Sequence, residues 1–410
     1  MSVRKRTWIS PKGEEKSAWV ADYFDAKGKR RLKSFRLKKE AEAFAAKAKV
    51  EVREGTHVAD RETVTVATAG NLWIKTAESA CLERVTLETY RSRFRLHVEP
   101  FLGSEKISKI TVPVVRSFGD RLREEGRSPA MVKKAMTILG AILSDAQERG
   151  LATRNAVKEM SRRKNGSEKR GKRLLEVGVD IPLPEEIKAF LGALQGRWRP
   201  LLLTDVFTGL RSSELRGLRW QDVNLAKGEI SVRQRSDRYG TMGETKSASS
   251  QRTLPVPPVV INTLKEWRLA CPRPRVGIDD AGKPILEEMR PGQLVFPNGQ
   301  GKPESHSNIV NRGLIPAMKK AGLSIDTGKK DKKGKPILKA RYSGLHDLRH
   351  FYASWCINPK ESGGLGLDMK SVQVRMGHSS IVVTADVYSH LFPRRDNGKD
   401  MADAASALLS

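Results

Sequence analysis

Two arginines, two histidines and a tyrosine in the C-terminal half of this sequence stand where they could handle an anion. Thr208-Gly209-Leu210-Arg211-Ser212-Ser213-Glu214-Leu215 places an arginine at a turn just before a short helix whose first turn holds Glu214. Helix-start N–H groups and a bidentate guanidinium both point at oxyanions, so this pattern suits a phosphate; a capped helix with Arg211 paired to Glu214 is the plainer alternative. Leu345-His346-Asp347-Leu348-Arg349-His350 spaces His346 and Arg349 three apart. On a helix that spacing gives one face an imidazole and a guanidinium, with Leu345, Leu348, Phe351 and Trp355 left for the buried face. His-Asp-x-x-His also contains metal-ligand residue types, but no acidic cluster accompanies it and the nearby arginines would repel a cation. Met376-Gly377-His378-Ser379-Ser380 ends one helix at a glycine and starts the next, leaving His378 at the junction. Ten residues later stands Tyr388, in Thr384-Ala385-Asp386-Val387-Tyr388-Ser389-His390; a helical tyrosine on its own is ordinarily core packing.

The elements that must position these groups begin near Leu174. Residues 174–410 read as mixed and mainly helical: Pro184-Glu185-Glu186 opens a helix carrying Ile187, Phe190, Leu191 and Leu194, and residues 228–232 and 252–256 resemble strands of a hairpin around Tyr239-Gly240. Two basic, Gly/Pro-rich stretches interrupt this region, at 271–307 and 326–342. Upstream, 65–165 reads as a bundle of about four helices, with Thr86, Thr111 and Ser128-Pro129 as helix starts and Gly126 and Gly150 as stops. Positions 1–60 form a separate module of three short β-prone runs followed by a helix over 38–54. With 16 basic and 9 acidic residues there, and Trp8 and Trp19 on or beside strands, the module reads either as a nucleic-acid-gripping sheet or as a solvated basic surface. Residues 158–173 carry eight basic and two acidic side chains and read as a phosphate-tracking linker. The fold class expected is multidomain, mainly α with small β-sheets.

Composition bounds the partner. The 410 residues carry 76 Lys and Arg against 47 Asp and Glu, a formal charge of +29, and the isoelectric point is near 10.2. That excess exceeds what solubility requires and points to a polyanion, without separating DNA from RNA or an anionic membrane. No run approaches the roughly 18 apolar residues of a membrane span, and the basic N-terminus runs into Trp8, Ile9, Ser10 and Pro11 instead of a signal core. Cys81, Cys271 and Cys356 have no Cys-x-x-Cys spacing, which argues against a disulfide framework or structural zinc and for a cytoplasmic chain with free thiols.

Taken together and in order, Thr-Gly-Leu-Arg211-x-x-Glu-Leu, His346-x-Leu-Arg349-His, Gly-His378-Ser-Ser and Thr-x-x-x-Tyr388-Ser-His closely resemble the motifs of the tyrosine recombinases, the phage integrase family. The resemblance covers 174–392; the helical bundle is similar to that family's core-binding domain, and positions 1–60 to the arm-type DNA-binding domains of prophage integrases. Longer segments at 271–307, 326–342 and 358–367 depart from the family pattern. The resemblance implies a catalytic domain over 174–410 with Arg211, Lys246, His346, Arg349, His378 and Tyr388 as its catalytic residues, and Glu214 as support for the first arginine. Lys246 matches the family's lysine by position alone.

The implied chemistry has stated needs. A tyrosine, with its ordinary pKa near 10, must lose its proton, charge on the phosphate must be held, and the leaving 5′-oxygen must be protonated. The resemblance gives Arg211 and Arg349 the phosphate, His346 base work, His378 a hydrogen bond to a phosphate oxygen, Lys246 the acid role and Tyr388 the nucleophilic attack. It further implies double-stranded DNA with core- and arm-type attachment sites and a homotetramer passing through a Holliday junction. An excisionase and a host DNA-bending protein are implied accessory partners, the location is cytoplasmic and nucleoid-associated, and no cofactor, metal or ATP is needed. Residues 397–410, with Met401, Ala404, Ala405, Leu408 and Leu409, read either as a short helix donated to a neighbouring subunit or as a frayed terminus. A topoisomerase IB-like nicking-closing enzyme and a non-catalytic DNA-binding protein are the alternatives; binding alone needs no nucleophile, which weighs against the second.

Overall fold

In a computed structural model, which describes residues 1–11, 13–25, 28–53, 63–160, 174–245, 248–273, 275–331, 333–392 and 406–408, the strands Ser2–Ile9, Glu15–Phe24 and Arg30–Phe35 pair antiparallel in chain order. The first strand is longer than its β-prone run at Trp8-Ile9 predicts, because pairing with the second recruits the basic residues: Arg4, Lys5 and Arg6 stand opposite Val20, Trp19 and Ala18. Buried Asp22 accepts from Arg4 at 3.3 Å and Arg30 at 2.9 Å, and Asp25 from Arg31 at 2.8 Å, so two carboxylates offset part of the sheet's charge. Helix Lys38–Arg53 packs on the sheet, with Phe44 meeting Tyr23 and Phe35 at 5.7 and 5.2 Å between ring centres.

Four main helices follow, Val66–Ser79, Arg84–His97, Val112–Glu124 and Pro129–Glu148. Their shared core includes Val66, Trp73, Phe94, Phe118, Leu122, Ile138, Leu139 and Ile142. Ser128 caps the last helix as expected, its side chain accepting from the Met131 N–H at 3.3 Å. The second helix starts earlier than expected: Glu83 is its N-cap and Thr86 lies inside the first turn. The chain divides into two compact units, Met1–Lys169 and Arg170–Ser410.

In the second unit, helices Pro184–Ala193, Trp198–Thr208, Pro258–Ala270 and Leu345–Ile357 surround one apolar core containing Phe190, Leu202, Val206, Leu210, Leu254, Leu264 and Leu348. Glu229–Val232 is the middle strand between Val223–Asn224 and Arg252–Pro255. Where one hairpin is expected there are two strand pairs, since the Tyr239-Gly240 turn closes an inner pair, Gln234–Ser236 with Met242–Glu244. The two basic stretches each contain a two-stranded hairpin, Arg275–Ile278 with Pro284–Leu286 and Ser324–Lys330 with Pro336–Ala340. The 358–367 segment folds back on the end of the Leu345–Ile357 helix, with the Leu365 and Leu367 N–H groups donating to Trp355 and Cys356 carbonyls at 2.9 and 2.8 Å. It delivers the chain to helix Met369–Met376 and then, through Gly377, to helix Ile381–Tyr388. Among the described residues no helix is long and apolar enough to cross a membrane.

Candidate active site

The first arginine is set by a glycine. Helix Trp198–Thr208 ends at Gly209 with φ +56°, and a Cβ there would sit 2.4 Å from the Tyr352 ring, so only glycine makes this turn without displacing the neighbouring helix. Arg211 then becomes the N-cap of helix Ser212–Gly217. The Glu214 carboxylate closes that end by accepting from the Arg211 N–H at 3.0 Å and from its Nη1 at 2.7 Å. A third donor comes from the buried Arg252, whose Nη2 reaches the same carboxylate at 2.9 Å. Burial would raise the Glu214 pKa, but Arg252 and Arg211 outweigh it and hold the carboxyl below its usual range. The pairing expected of a plain capped helix is therefore present, and it leaves the guanidinium partly open: Arg211 is 36% exposed while its partner Glu214 is 3% exposed.

The second arginine is buried and tied down. Asp347 caps the start of helix Leu345–Ile357 by accepting from the Ser343 and Gly344 N–H groups at 3.1 and 3.0 Å, which sets the helix phase that turns Arg349 inward. Arg349 donates to the carbonyls of Gly209 and Met376, the latter at 2.5 Å, while Arg211 Nη2 donates to the Gly377 carbonyl at 2.7 Å. The two guanidinium groups therefore converge on consecutive carbonyls of one turn. Gly377 holds that turn at φ +61°, where a Cβ would lie 2.6 Å from Arg252 Nη1. Burial, with Arg211 nearby, pushes Arg349 down to about 10, still charged at neutral pH.

The turn also delivers His378. Its Nδ1 lies 2.9 Å from Thr384 Oγ1, and its ring is parallel to that of Tyr388, 7° between planes and 6.4 Å between centres. Tyr388 is 2% exposed, its phenol pushed up to about 12 by burial, with the charge of Arg349 pulling the other way. Its hydroxyl lies 2.7 Å from Nδ1 of His350. His346, one turn earlier, meets the His350 ring edge-on at 4.7 Å between centres. His390 fixes the end of the tyrosine helix through Nε2 and the Leu175 carbonyl at 2.7 Å. The structure brings Arg211, Arg349, His346, His378 and Tyr388 into one cluster; Lys246 lies outside the described residues. Of the rival tyrosines, Tyr342 donates to Glu186 at 2.7 Å and Tyr352 is buried against the Gly209 turn, both committed to packing.

Two residues of the cluster lie outside the motifs, and a third, His350, lies inside one that does not reveal its contact. His350 shares a helical face with His346 at i,i+4, a spacing visible in the sequence, but its contact to Tyr388 spans 38 residues. Arg252 reads as one more strand residue. Asp205 sits inside the apolar run Leu201 to Phe207, fully buried; among the described residues neither carboxylate oxygen has a hydrogen-bond partner. Burial pushes its pKa far up, with Arg349 opposing.

Burial, together with neighbouring positive charge, lowers all three site histidines, His350 and His378 each to about 4. They are neutral in the native protein, whereas an unfolded histidine titrates near 6.5. Below that value the unfolded state binds more protons, so stability present at pH 7 is lost as pH falls from about 6.5 toward about 4. Thermal melts of the DNA-free protein at low salt are expected to drop across this window, and His378→Asn to flatten the drop. A melting temperature that rises on acidification to pH 5 would contradict the burial of neutral imidazoles.

Residues 183–395, just over half the chain, match the model of the phage integrase family, and residues 65–123 match that of the phage integrase N-terminal SAM-like domain. A tyrosine recombinase XerC-like protein of Caldanaerobacter subterraneus subsp. tengcongensis is 28% identical over 389 residues, covering 90% of this chain and 91% of its own. The ICEBs1 integrase of Bacillus subtilis is 24% identical, covering 76% of this chain and 75% of its own. Among solved structures, the Tn1549 transposon integrase in complex with circular intermediate DNA matches with a TM-score of 0.57 at 19% identity, covering 85% of this chain and all of that one. A lambda integrase dimer bound to a core site matches at 0.53 and 17%, covering 95% of each chain, so the fold is shared well beyond recognisable sequence. The chain belongs to the phage integrase family and is a tyrosine-type site-specific recombinase.

Proposed function

We propose that this recombinase is the integrase of a prophage or genomic island, cutting and rejoining DNA through a 3′-phosphotyrosyl intermediate. The observation that carries this reading is the convergence of Arg211 and Arg349 on the Met376-Gly377 turn beside Tyr388. A scissile phosphate would replace or extend those carbonyl contacts. Both guanidiniums then hold its non-bridging oxygens through charge-assisted bonds that strengthen as charge develops. His378, with Nδ1 engaged by Thr384, offers Nε2 to a phosphate oxygen, and His346 faces the same anion. Tyr388 Oη forms the bond to phosphorus, the bond to the 5′-oxygen breaks, and Lys246 supplies the proton for that oxygen. The new ester keeps the energy of the old one, so a second 5′-hydroxyl reseals the strand without ATP. Positive charge from side chains suffices for the step without a metal.

The functional division follows as three domains, 1–60 for arm-type DNA, 65–165 for core DNA and 174–410 for catalysis. The lambda integrase structures include a tetramer bound to a Holliday junction; the same assembly on two duplexes is proposed here, with an excisionase and a host DNA-bending protein setting direction.

The test is strand exchange between two labelled duplexes carrying the attachment sequences found beside the gene, run with EDTA and without nucleotide. Recombinant product and a DNA-linked peptide containing Tyr388 are expected. Relaxation of a plasmid with no exchange would favour the topoisomerase reading, and loss of cleavage in EDTA would reject the metal-free one.

A further inference from the structure

The hydroxyl of Tyr388 contacts Nδ1 of His350 at 2.7 Å, and no comparable contact joins it to His346 among the described residues. Both histidines lie on the face of helix Leu345–Ile357 that meets the tyrosine helix, but His350 is the one at the reacting oxygen. We propose that His350 is the catalytic base of this recombinase, taking the Tyr388 proton during cleavage and returning it during resealing. This rests on Tyr388 being the nucleophile.

The step balances within the site. The Tyr388 O–H bond breaks and its proton passes to His350 Nδ1 as the Oη–phosphorus bond forms; the bond from phosphorus to the 5′-oxygen breaks, and that oxygen is protonated from elsewhere. In resealing the 5′-hydroxyl attacks, Tyr388 Oη leaves, and the His350 imidazolium returns the proton to it.

Charge explains why the pair is quiet without DNA. Among the described residues, the charged and titratable groups facing His350 are His346 and Arg349 on its own helix, Tyr388 on the tyrosine helix and Asp180 from the segment before Pro184. Burial and the first two keep the imidazole neutral, and burial keeps the phenol protonated, so the hydrogen bond holds two neutral groups. A phosphodiester between Arg211 and Arg349 offsets the charge that opposes a proton on His350. At the same moment bond formation to phosphorus strips the phenolic oxygen of its basicity, so the proton moves with the chemistry and not before it. His346, at 4.7 Å between ring centres, is then left to bind the phosphate.

The experiment measures single-turnover cleavage of an attachment-site duplex, with either oxygen or a bridging sulfur at the 5′ leaving position. A thiolate leaves without protonation, so sulfur relieves the loss of an acid and not of a base. His350→Ala and His350→Asn are both expected to cleave about 10²-fold more slowly, with no rescue by sulfur, whereas Lys246→Ala is rescued. The wild-type rate should level off at high pH, and that of His350→Asn should keep rising as hydroxide supplies phenolate. Wild-type speed in His350→Asn would reduce His350 to a hydrogen-bond partner and overturn the proposal; a faster His350→Ala would make it a restraint on Tyr388 and overturn it equally. Nitrogen-15 spectra of the unsubstituted protein give a test that no variant's folding can obscure: the proton is expected on Nε2 of His350, and one on Nδ1 overturns the proposal. Adduct formation by Tyr388→Phe would instead sink the nucleophile assignment, whatever the His350 variants do.

Discussion

Replacing Tyr388 by Phe is expected to abolish covalent attachment to DNA while leaving DNA affinity unchanged within about twofold, because affinity is carried by phosphate contacts from a +29 chain. The substitution removes one oxygen. Its ring stays packed among Tyr352, Ala353, Cys356, Ile357, Val372 and Met376. The lost hydrogen bond to His350 costs about 1 kcal/mol, so the fold survives. Denaturing gels of cleavage mixtures are the readout, with Tyr342→Phe and Tyr352→Phe alongside. Both controls should still form the protein–DNA band, since each hydroxyl serves packing or Glu186 and not the arginine turn. A band that persists in Tyr388→Phe and disappears in either control moves the nucleophile and undoes the site.

How much of this was legible in the sequence depends on the range of each interaction. Ser128, Gly377 and the i,i+3 pair His346 and Arg349 act within a turn or two of helix, so local spacing reveals them. The hairpins in the basic stretches were legible in principle: an Asp or Asn followed three residues later by Gly and then one more residue recurs at Asp25, Asp237, Asp279, Asn298 and Asp331. In every case the Asx side chain accepts from the N–H four residues on, and the glycine takes a positive φ. Read only as basic, Gly/Pro-rich interruptions, 271–307 and 326–342 lost their β-structure. Arg252 and His350 were not legible, because their meaning lies in contacts to Glu214 and Tyr388 that only the packed fold creates. Asp205 was hidden for the opposite reason: a carboxyl in an apolar helix matters only once Arg349 lies near it.

Arg349→Lys is expected to lower cleavage by about 10²–10³ while leaving DNA binding within about twofold, because it preserves charge and destroys shape. The native guanidinium bonds two carbonyls, Gly209 and Met376, which come from different elements and are spanned by separate nitrogens of one rigid plane. An ammonium gathers all three donors on a single nitrogen and cannot hold both carbonyls while also meeting a phosphate oxygen. It is also a titratable cation in a place that is 2% exposed, where burial, with Arg211 and Arg252 nearby, pushes even an arginine down. The residual cleavage by the lysine variant should therefore fall at high pH as the ammonium loses its proton, a fall that arginine does not impose. Pre-steady-state cleavage from pH 6 to 9, beside gel-shift affinity at each pH, separates the two effects. If the lysine protein cleaves within a few-fold of the native one across that range, charge alone suffices at this position, and the two carbonyl bonds that hold the guanidinium in place contribute nothing to catalysis.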